Sequence, residues 1–579
     1  MLREMISAPD VRADLAAAMA LDPEFEDLRA RMVARFLDGL PQGSRVLLSG
    51  CGGVARRLAE AHAASLARHN AAFTDGSVPD GGSVPDDSTA GARSEFHGFP
   101  LLPTSGALAF DPAHALLLTC TFEPAMRARL AGLPAERLFG LLGLVREQAG
   151  DADRLEALAR MQAMAESLLS GLASTFAPGD KTVAIVEPDL CGSNLSLLKH
   201  LRAHGWKVAL FIRRNAQISR PVDRLIPEGY ADWLFEAPSF DGLRLLMPFL
   251  LARHAFSVTW VTVFAYALPF VDRCISASAG PVVILYDTFL SQIMEDKAFA
   301  EGMHRRGTIG GDEVHRLEGR VLRGSAGMFH RHPDFLNERY GSRHGCRIKA
   351  LKLLHPMDPP SGQPPARFSA ADGRLHVVSI FSLHKDPMVT VHTAHPISCI
   401  FEPIEALTGA GIRFTVINPL DPGWDHDYDM LRTLAEENPL FEYRTAMPFD
   451  RLLELLPRYD FGWTCRRIPR VEIEYTRTHL PYMLFAFLHA RVPVLVSPET
   501  EYLAELVRGH GAGLVLPADE WARAGEKLAA FDRAAYDLGV ERWAAELDTG
   551  RQAARIAAFL GEILAGDRTR PLASQGERP

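Results

Sequence analysis

Short apolar runs alternate with helix-patterned stretches along most of the chain. From Lys181, KTVAIVEPDL reads as a buried strand and CGSNLSLLKHLRAHG as a turn and helix stopped by Gly205. WKVALFIRR is the next strand, and FSVTWVTVF, GPVVILYD and GMFHRH follow as further strands. From Arg374 the pattern starts again. LHVVSIFS, RFTVINPL, FGWTC, VPVLVS and AGLVLP read as strands, with IEALTGAG, DRLLELLPR, LPYMLFAFLHA and TEYLAELVRGHG as helices between them. ERWAAELDTGRQAARIAAFLGEILAG closes this part as a helical tail. Near the start, FEDLRARMVARFLDGL is helical, GSRVLLSGCGGVARRLAEAHAAS reads strand, glycine turn, helix, and HALLLTCTF and EPAMRARLAGL repeat the alternation. Strand and helix in alternation predict α/β domains with parallel sheets.

The breaks set the expected layout. A small α/β domain fills 1–150. A helix follows, with Leu155, Leu158, Met161, Met164/Ala165 and Leu168 on one face, and Pro178 and Gly179 end it, so 151–180 reads as a connector. The proline-rich stretch HPMDPPSGQPPARF separates an α/β domain at 181–365 from another at 366–565. TDGSVPDGGSVPDDSTAGARSE, residues 74–95, has nothing to bury and is expected to be a mobile insert; 566–579 is expected to be a disordered tail. Two α/β domains of similar size predict a ligand cleft between them, at the carboxyl ends of their strands.

Composition narrows the partners. The 579 residues are 47% hydrophobic and 23% charged, with a formal charge of −9. That balance argues against a generic nucleic-acid binder. The seven cysteines are dispersed and form no CxxC pair, which fits reduced thiols in a cytoplasm rather than a disulfide framework or a zinc site. Neither a signal peptide nor a transmembrane run is expected.

Several residues have the chemistry of a site. Gly192, Ser193 and Asn194 lie between strand and helix, where a backbone can approach an anion; capping of the helix is the structural alternative. Asp287 ends a strand and could act as a base or cap the next helix. CRRIPRVEIEYTRTH gathers Arg466, Arg467, Arg470, Glu472, Glu474 and Arg477. Arg477 and Thr478 are expected near a helix start, where an arginine fork suits phosphate oxygens; a charged surface loop is the alternative. His330 and His332 have no evident third metal ligand, and neither do His392 and His395 in HTAH, so all four read as packed or surface residues.

Residues 181–565 resemble GT-B glycosyltransferases, especially the glycosyl transferases group 1 set. Two stretches carry the likeness. VEPDLCGSNLSLLKHLRAHGWKVALF is similar to the family's opening strand, glycine loop and helix, and LPYMLFAFLHARVPVLVSPETEYLAELVRGHGAGLVLPADEW to its donor-side segment. The resemblance implies two Rossmann-like domains facing a cleft, a nucleotide-sugar donor, a glycan or protein acceptor and no bound metal or other cofactor. It assigns Lys385 to the donor diphosphate and sets Glu499 and Thr500 beside the donor, with Glu505 in the next helix. It also exposes departures. Met483 stands where the family has a lysine, Ala486 where it has a glutamate, and Thr478 where it has an earlier glutamate. Glu474 is the candidate to replace the lost ribose contact and, with Asp287, a candidate catalytic carboxylate. LLSGCGGVARRLAE, with FHGFPLLP and HALLLTCTFEPAMRARL, resembles the small Rossmann-like domain attached to polysaccharide-synthesis proteins; an accessory or dimerisation role is expected, and nucleotide binding, with Asp75 as its one candidate carboxylate, is the alternative. The expected function is sugar transfer with a divergent donor site, and the alternative is a catalytically silent scaffold of the same shape.

Overall fold

The computed structural model describes residues 15–16, 18–19, 25–49, 53–74, 95–96, 99–102, 112–117, 138–187, 192–213, 222–263, 267–286, 289–294, 311–356, 365–380, 383–384, 395–396, 400–417, 429–445, 447, 449–465, 474–478 and 480–567. They form two compact units. One holds Met1–Ser174, Ile212–Arg214 and Phe235–His254; the other holds Thr175–Phe211, Asn215–Leu234 and Ala255–Pro579.

The first unit contains a sheet built from Arg45–Ser49 (β1), Asn70–Thr74 (β2), Glu95–Phe96 (β3), Phe99–Leu102 (β4), His114–Leu117 (β5) and Leu138–Gly140 (β6), in the order β3-β4-β2-β1-β5-β6. All its pairs are parallel except β3–β4. The helix expected as a connector, Asp151–Thr175, belongs to this unit and is joined to the helix Glu26–Asp38 by ion pairs. It buries Leu158, Met161, Ala165 and Leu172, close to the stripe the periodicity predicts. Arg160 holds Asp27 through two bonds of 2.8 Å, Arg31 reaches Glu156 at 2.7 Å, and Arg35 reaches Asp153 at 2.8 Å. The Arg160 hydrogen bonds hold the Asp27 carboxyl down at about 2.

The larger sheet of seven strands comprises Thr182–Val186 (β7), Lys207–Arg213 (β8), Trp233–Ala237 (β9), Val258–Val263 (β10), Val282–Tyr286 (β11), Gly327–His330 (β12) and Ala350–Lys352 (β13), ordered β13-β12-β11-β10-β7-β8-β9. A further sheet comprises His376–Ile380 (β14), Arg413–Ile417 (β17), Phe441–Arg444 (β18), Phe461–Trp463 (β19), Val494–Val496 (β20) and Gly513–Val515 (β21). The two-residue strands Leu383–His384 (β15) and His395–Pro396 (β16) pair only with each other. The order β18-β17-β14-β19-β20-β21 is doubly wound, and its chain reverses direction of growth between β14 and β19. Both faces of this sheet are covered. Val378, Ile380, Val494 and Val496 point into one core, and Val377, Trp463 and Leu495 into the other. Alternate residues of one strand therefore both need apolar partners, which is why these strands read as unbroken apolar runs.

The closing helix Thr549–Asp567 packs along the helix Gly192–Ala203 and reaches β12. Phe559 lies 5.4 Å from the Phe329 ring, and Lys349 pairs with Glu562 at 3.2 Å. Gly327 permits this approach, since a Cβ there would stand 2.5 Å from Ile563 Cδ1. Two doubly wound sheets closed by a returning helix are the arrangement that the resemblance implies.

Candidate functional site

The carboxyl ends of β11, β12 and β13 meet segments that follow β19 and β20. The link begins at Glu318, on the helix Gly311–Gly324. Val314, Leu317, Val321 and Leu322 of that helix are buried, and Glu318 shares their face at 0% exposure. A buried carboxylate must be matched by donors. The Leu290 amide donates at 2.5 Å, the Ser291 amide at 3.3 Å, and His344 Nε2 at 2.9 Å. The Tyr286 hydroxyl donates as well. Burial pushes the Tyr286 hydroxyl far above its ordinary range, with the Glu318 charge adding to the effect, so it remains a donor. Glu318 thereby clamps the chain on both sides of the β11 exit and holds the short helix Leu290–Met294 in place.

That helix presents Gln292 to the helix Glu474–Thr478. Gln292 Nε2 donates to Thr478 Oγ1 at 3.1 Å and to Glu474 Oε2 at 3.3 Å. Arg339, on the helix Asp334–Arg343, pairs with the same Glu474 carboxylate. At β13, Lys352 binds Asp334 at 3.1 Å and lies 5.3 Å from the Tyr502 ring centre. Burial lowers the Lys352 pKa, but contacts with Tyr502 and Asp334 outweigh it and raise the net value, so the ammonium is retained.

Beyond β20, Arg477 Nη1 stands 3.5 Å from Glu501. The adjoining Glu499 lies close enough to Cys465 that its charge adds to the burial that pushes the thiol up. Two polar atoms in this region, Arg477 Nε and Glu499 Oε2, are buried with no hydrogen-bond partner.

The sequence candidates divide. Glu474, Arg477 and Thr478 share one short helix, and Arg477 reaches Glu501, two residues after Glu499. The Glu474 carboxylate is engaged by Arg339 and Gln292, and the Thr478 hydroxyl donates to the Glu474 carbonyl at 2.9 Å. Thr500 is buried and donates to the Ser497 carbonyl at 2.7 Å, so it secures the turn. Gly192, Ser193 and Asn194 are the first residues of the helix Gly192–Ala203 rather than a loop ahead of it. Their amides belong to its first turn, which is where an anion would be met. Asp287 and Lys385 lie outside the described residues, as do Arg466, Arg467, Arg470, Glu472, His392 and Asp75. Glu505 is exposed.

His330 and His332 are packed inside. Asn337 binds both rings, at 3.1 Å to His330 and 2.7 Å to His332, and His330 Nδ1 donates to the His332 carbonyl at 3.1 Å. Burial, aided by His332, pulls the His330 pKa down to about 3 and keeps it neutral. Among the described residues no group of three or more His, Cys, Asp or Glu could hold a metal ion. No described helix is long and apolar enough to cross a membrane.

Met483 and Ala486 face the core. Ala486 is 2% exposed, and Met483 packs against the cluster that holds Leu484, Phe485, Phe487 and Leu488. Sequence reasoning passed over Glu318, Gln292, Arg339 and Lys352. A glutamate on an apolar helical stripe was a readable signal for Glu318; the other three are defined only by tertiary contact.

No protein-family model matches the chain, and no curated protein matches it. Solved structures are similar to it at low identity. Anabaena Alr3699/HepE in complex with UDP and glucose is 13% identical over 66% of this chain and 100% of its own, with a TM-score of 0.44. Sucrose-phosphate synthase from Thermosynechococcus elongatus is 13% identical over 67% of this chain and 100% of its own, with a TM-score of 0.46. Arabidopsis thaliana UGT89C1 complexed with UDP is 12% identical over 66% of this chain and 99% of its own, with a TM-score of 0.41.

Proposed function

We propose that the chain is a glycosyltransferase that moves a sugar from a nucleotide-sugar donor to a glycan or protein acceptor, with the donor's charge met by Arg477. The observation that carries this reading is the pair of buried, unpartnered atoms, Arg477 Nε and Glu499 Oε2, beside the exits of β19 and β20. An unmatched buried polar atom is unfavourable, less so for Arg477, whose side chain is 40% exposed and meets water beyond Nε. A ligand with phosphate oxygens for the guanidinium and hydroxyls for the carboxylate offsets both costs. Open α/β sheets receive ligands at this end of their strands. In this reading a guanidinium and backbone amides stabilise the departing diphosphate, assisted by Lys385, and no metal is needed. If transfer inverts the anomeric centre, Asp287 is the base.

The test is a thermal-shift panel of UDP-, GDP-, ADP-, CMP- and dTDP-linked sugars on native protein and Arg477→Ala. A ligand that binds the native state raises its unfolding temperature. The reading predicts a shift with one nucleotide class that Arg477→Ala abolishes. No shift with any class in the folded native protein overturns it. A second reading, a silent scaffold, is favoured by one observation: Met483 and Ala486 pack into the core where the resembling enzymes have charged donor contacts.

A further inference from the structure

Gln292 is 1% exposed and has its amide nitrogen engaged by two acceptors, Thr478 Oγ1 at 3.1 Å and Glu474 Oε2 at 3.3 Å. An ionised carboxylate only accepts hydrogen bonds. Rotating the amide would set its oxygen against that carboxylate, so Glu474 fixes which end of the amide faces the other way. That end is Oε1, which is buried and has no hydrogen-bond partner. The group cannot readily shift to find one. Glu318 pins the first amides of its helix, and Arg339 pins Glu474. Such an oxygen is a preorganised acceptor awaiting a ligand N–H or O–H.

We propose that Gln292 is a specificity-determining residue whose amide oxygen accepts a hydrogen bond from a hydroxyl of the donor's sugar; this rests on the glycosyltransferase reading. An ionised diphosphate has no proton to give, so Oε1 does not read the phosphates. Arg477 and Glu499 flank the exits of β19 and β20, whereas Gln292 approaches from β11, the other sheet. Nucleotide and sugar are therefore divided between the sheets, with Thr478 and Glu474 aligning the reader. A site built to bind a hydroxyl discriminates strongly against a ligand that lacks it, because its own polar group is then left unmatched.

The experiment is titration calorimetry of the full chain with three pairs of probes: UDP and UDP-glucose, GDP and GDP-mannose, ADP and ADP-glucose. Gln292→Met keeps the side chain's length and removes the acceptor. The expected result is a loss of about tenfold in affinity for the nucleotide sugar, with the matching nucleoside diphosphate unchanged. Equal losses for both members of a pair, or no loss for either, overturn the assignment; equal losses point to a contact with the base or to misplacement of the Glu474–Thr478 helix. If the native protein binds none of the six, the glycosyltransferase reading itself fails. Should Gln292→Met not fold, native protein is titrated with singly deoxygenated versions of the sugar nucleotide it binds. One deletion must then weaken binding about tenfold; if none does, the inference fails.

Discussion

The helices Glu474–Thr478 and Tyr482–His489 are separated by only three residues and are built for opposite tasks. Tyr482–His489 is a core element. Leu484, Phe485, Phe487 and Leu488 are buried on it, and each contributes about 1.5–3 kcal/mol by leaving water. Glu474–Thr478 is polar and answers to the opposite sheet through Gln292 and Arg339. The resemblance expects charge on Tyr482–His489, at Met483 and Ala486, whereas the charge stands on Glu474–Thr478, as Glu474 and Arg477. Charge near a strand exit can thus be supplied from a neighbouring segment, while the helix beneath it becomes more apolar.

The largest expected effect tests the apolar half. Ala486→Glu introduces the residue that the resemblance expects, in a position with no polar partner. It should lower unfolding free energy by about 4 kcal/mol in urea titration, without a gain in nucleotide affinity. A stable variant that binds nucleotide better would show that the helix faces a ligand, and would break the comparison.

Next comes the support of the polar half. Glu318→Ala leaves the Leu290 and Ser291 amides, the Tyr286 hydroxyl and His344 without their shared acceptor. A loss of about 3 kcal/mol is expected, again by urea titration. A loss below about 1 kcal/mol would show that the clamp on the β11 exit is dispensable.

The histidine pair sharpens the boundary between packing and chemistry. His330 is neutral when folded, with a pKa pulled down to about 3, whereas the unfolded chain takes up a proton near its ordinary value. The unfolded state binds more protons across that window, so stability is full above pH about 6.5 and is lost as pH falls toward 3. The slope from this group is at most about 1.4 kcal/mol per pH unit. His330→Gln should remove that part of the slope in denaturation followed against pH; an unchanged slope would mean that the ring is charged in the folded protein.

Arg477→Ala should alter stability least. Its ion pair with Glu501 is at 3.5 Å and both side chains are well exposed, so less than about 0.5 kcal/mol should be lost. Nucleotide binding should nevertheless fall at least about tenfold. A variant that loses stability and keeps binding would reverse the assignment.

Much of the fold was legible because both faces of its central strands are covered. VVSI, FGW and VLV read as apolar runs for that reason. The edge strands Trp233–Ala237, Ala350–Lys352 and Phe441–Arg444 were not legible, since they are mostly half-exposed and carry little apolar pattern. The helix Asp151–Thr175 showed its buried stripe, but the ion pairs of its Arg160 and Glu156 with Asp27 and Arg31 are tertiary facts that no local pattern encodes. In the site, Arg477 and Glu499 could be found by their charge near strand exits. Gln292 could not, because an amide in the stretch TFLSQIMEDKAF has no distinguishing spacing and acquires its meaning from Glu474, far away in sequence.

The most direct test is hydrogen exchange of the full chain with and without the nucleotide sugar that raises its unfolding temperature. The account predicts added protection at 290–294, 474–478 and 499–501, where Gln292, Arg477 and Glu499 would close on the ligand. Protection confined to the 45–74 segment of the first unit, with those three stretches unchanged, would contradict it.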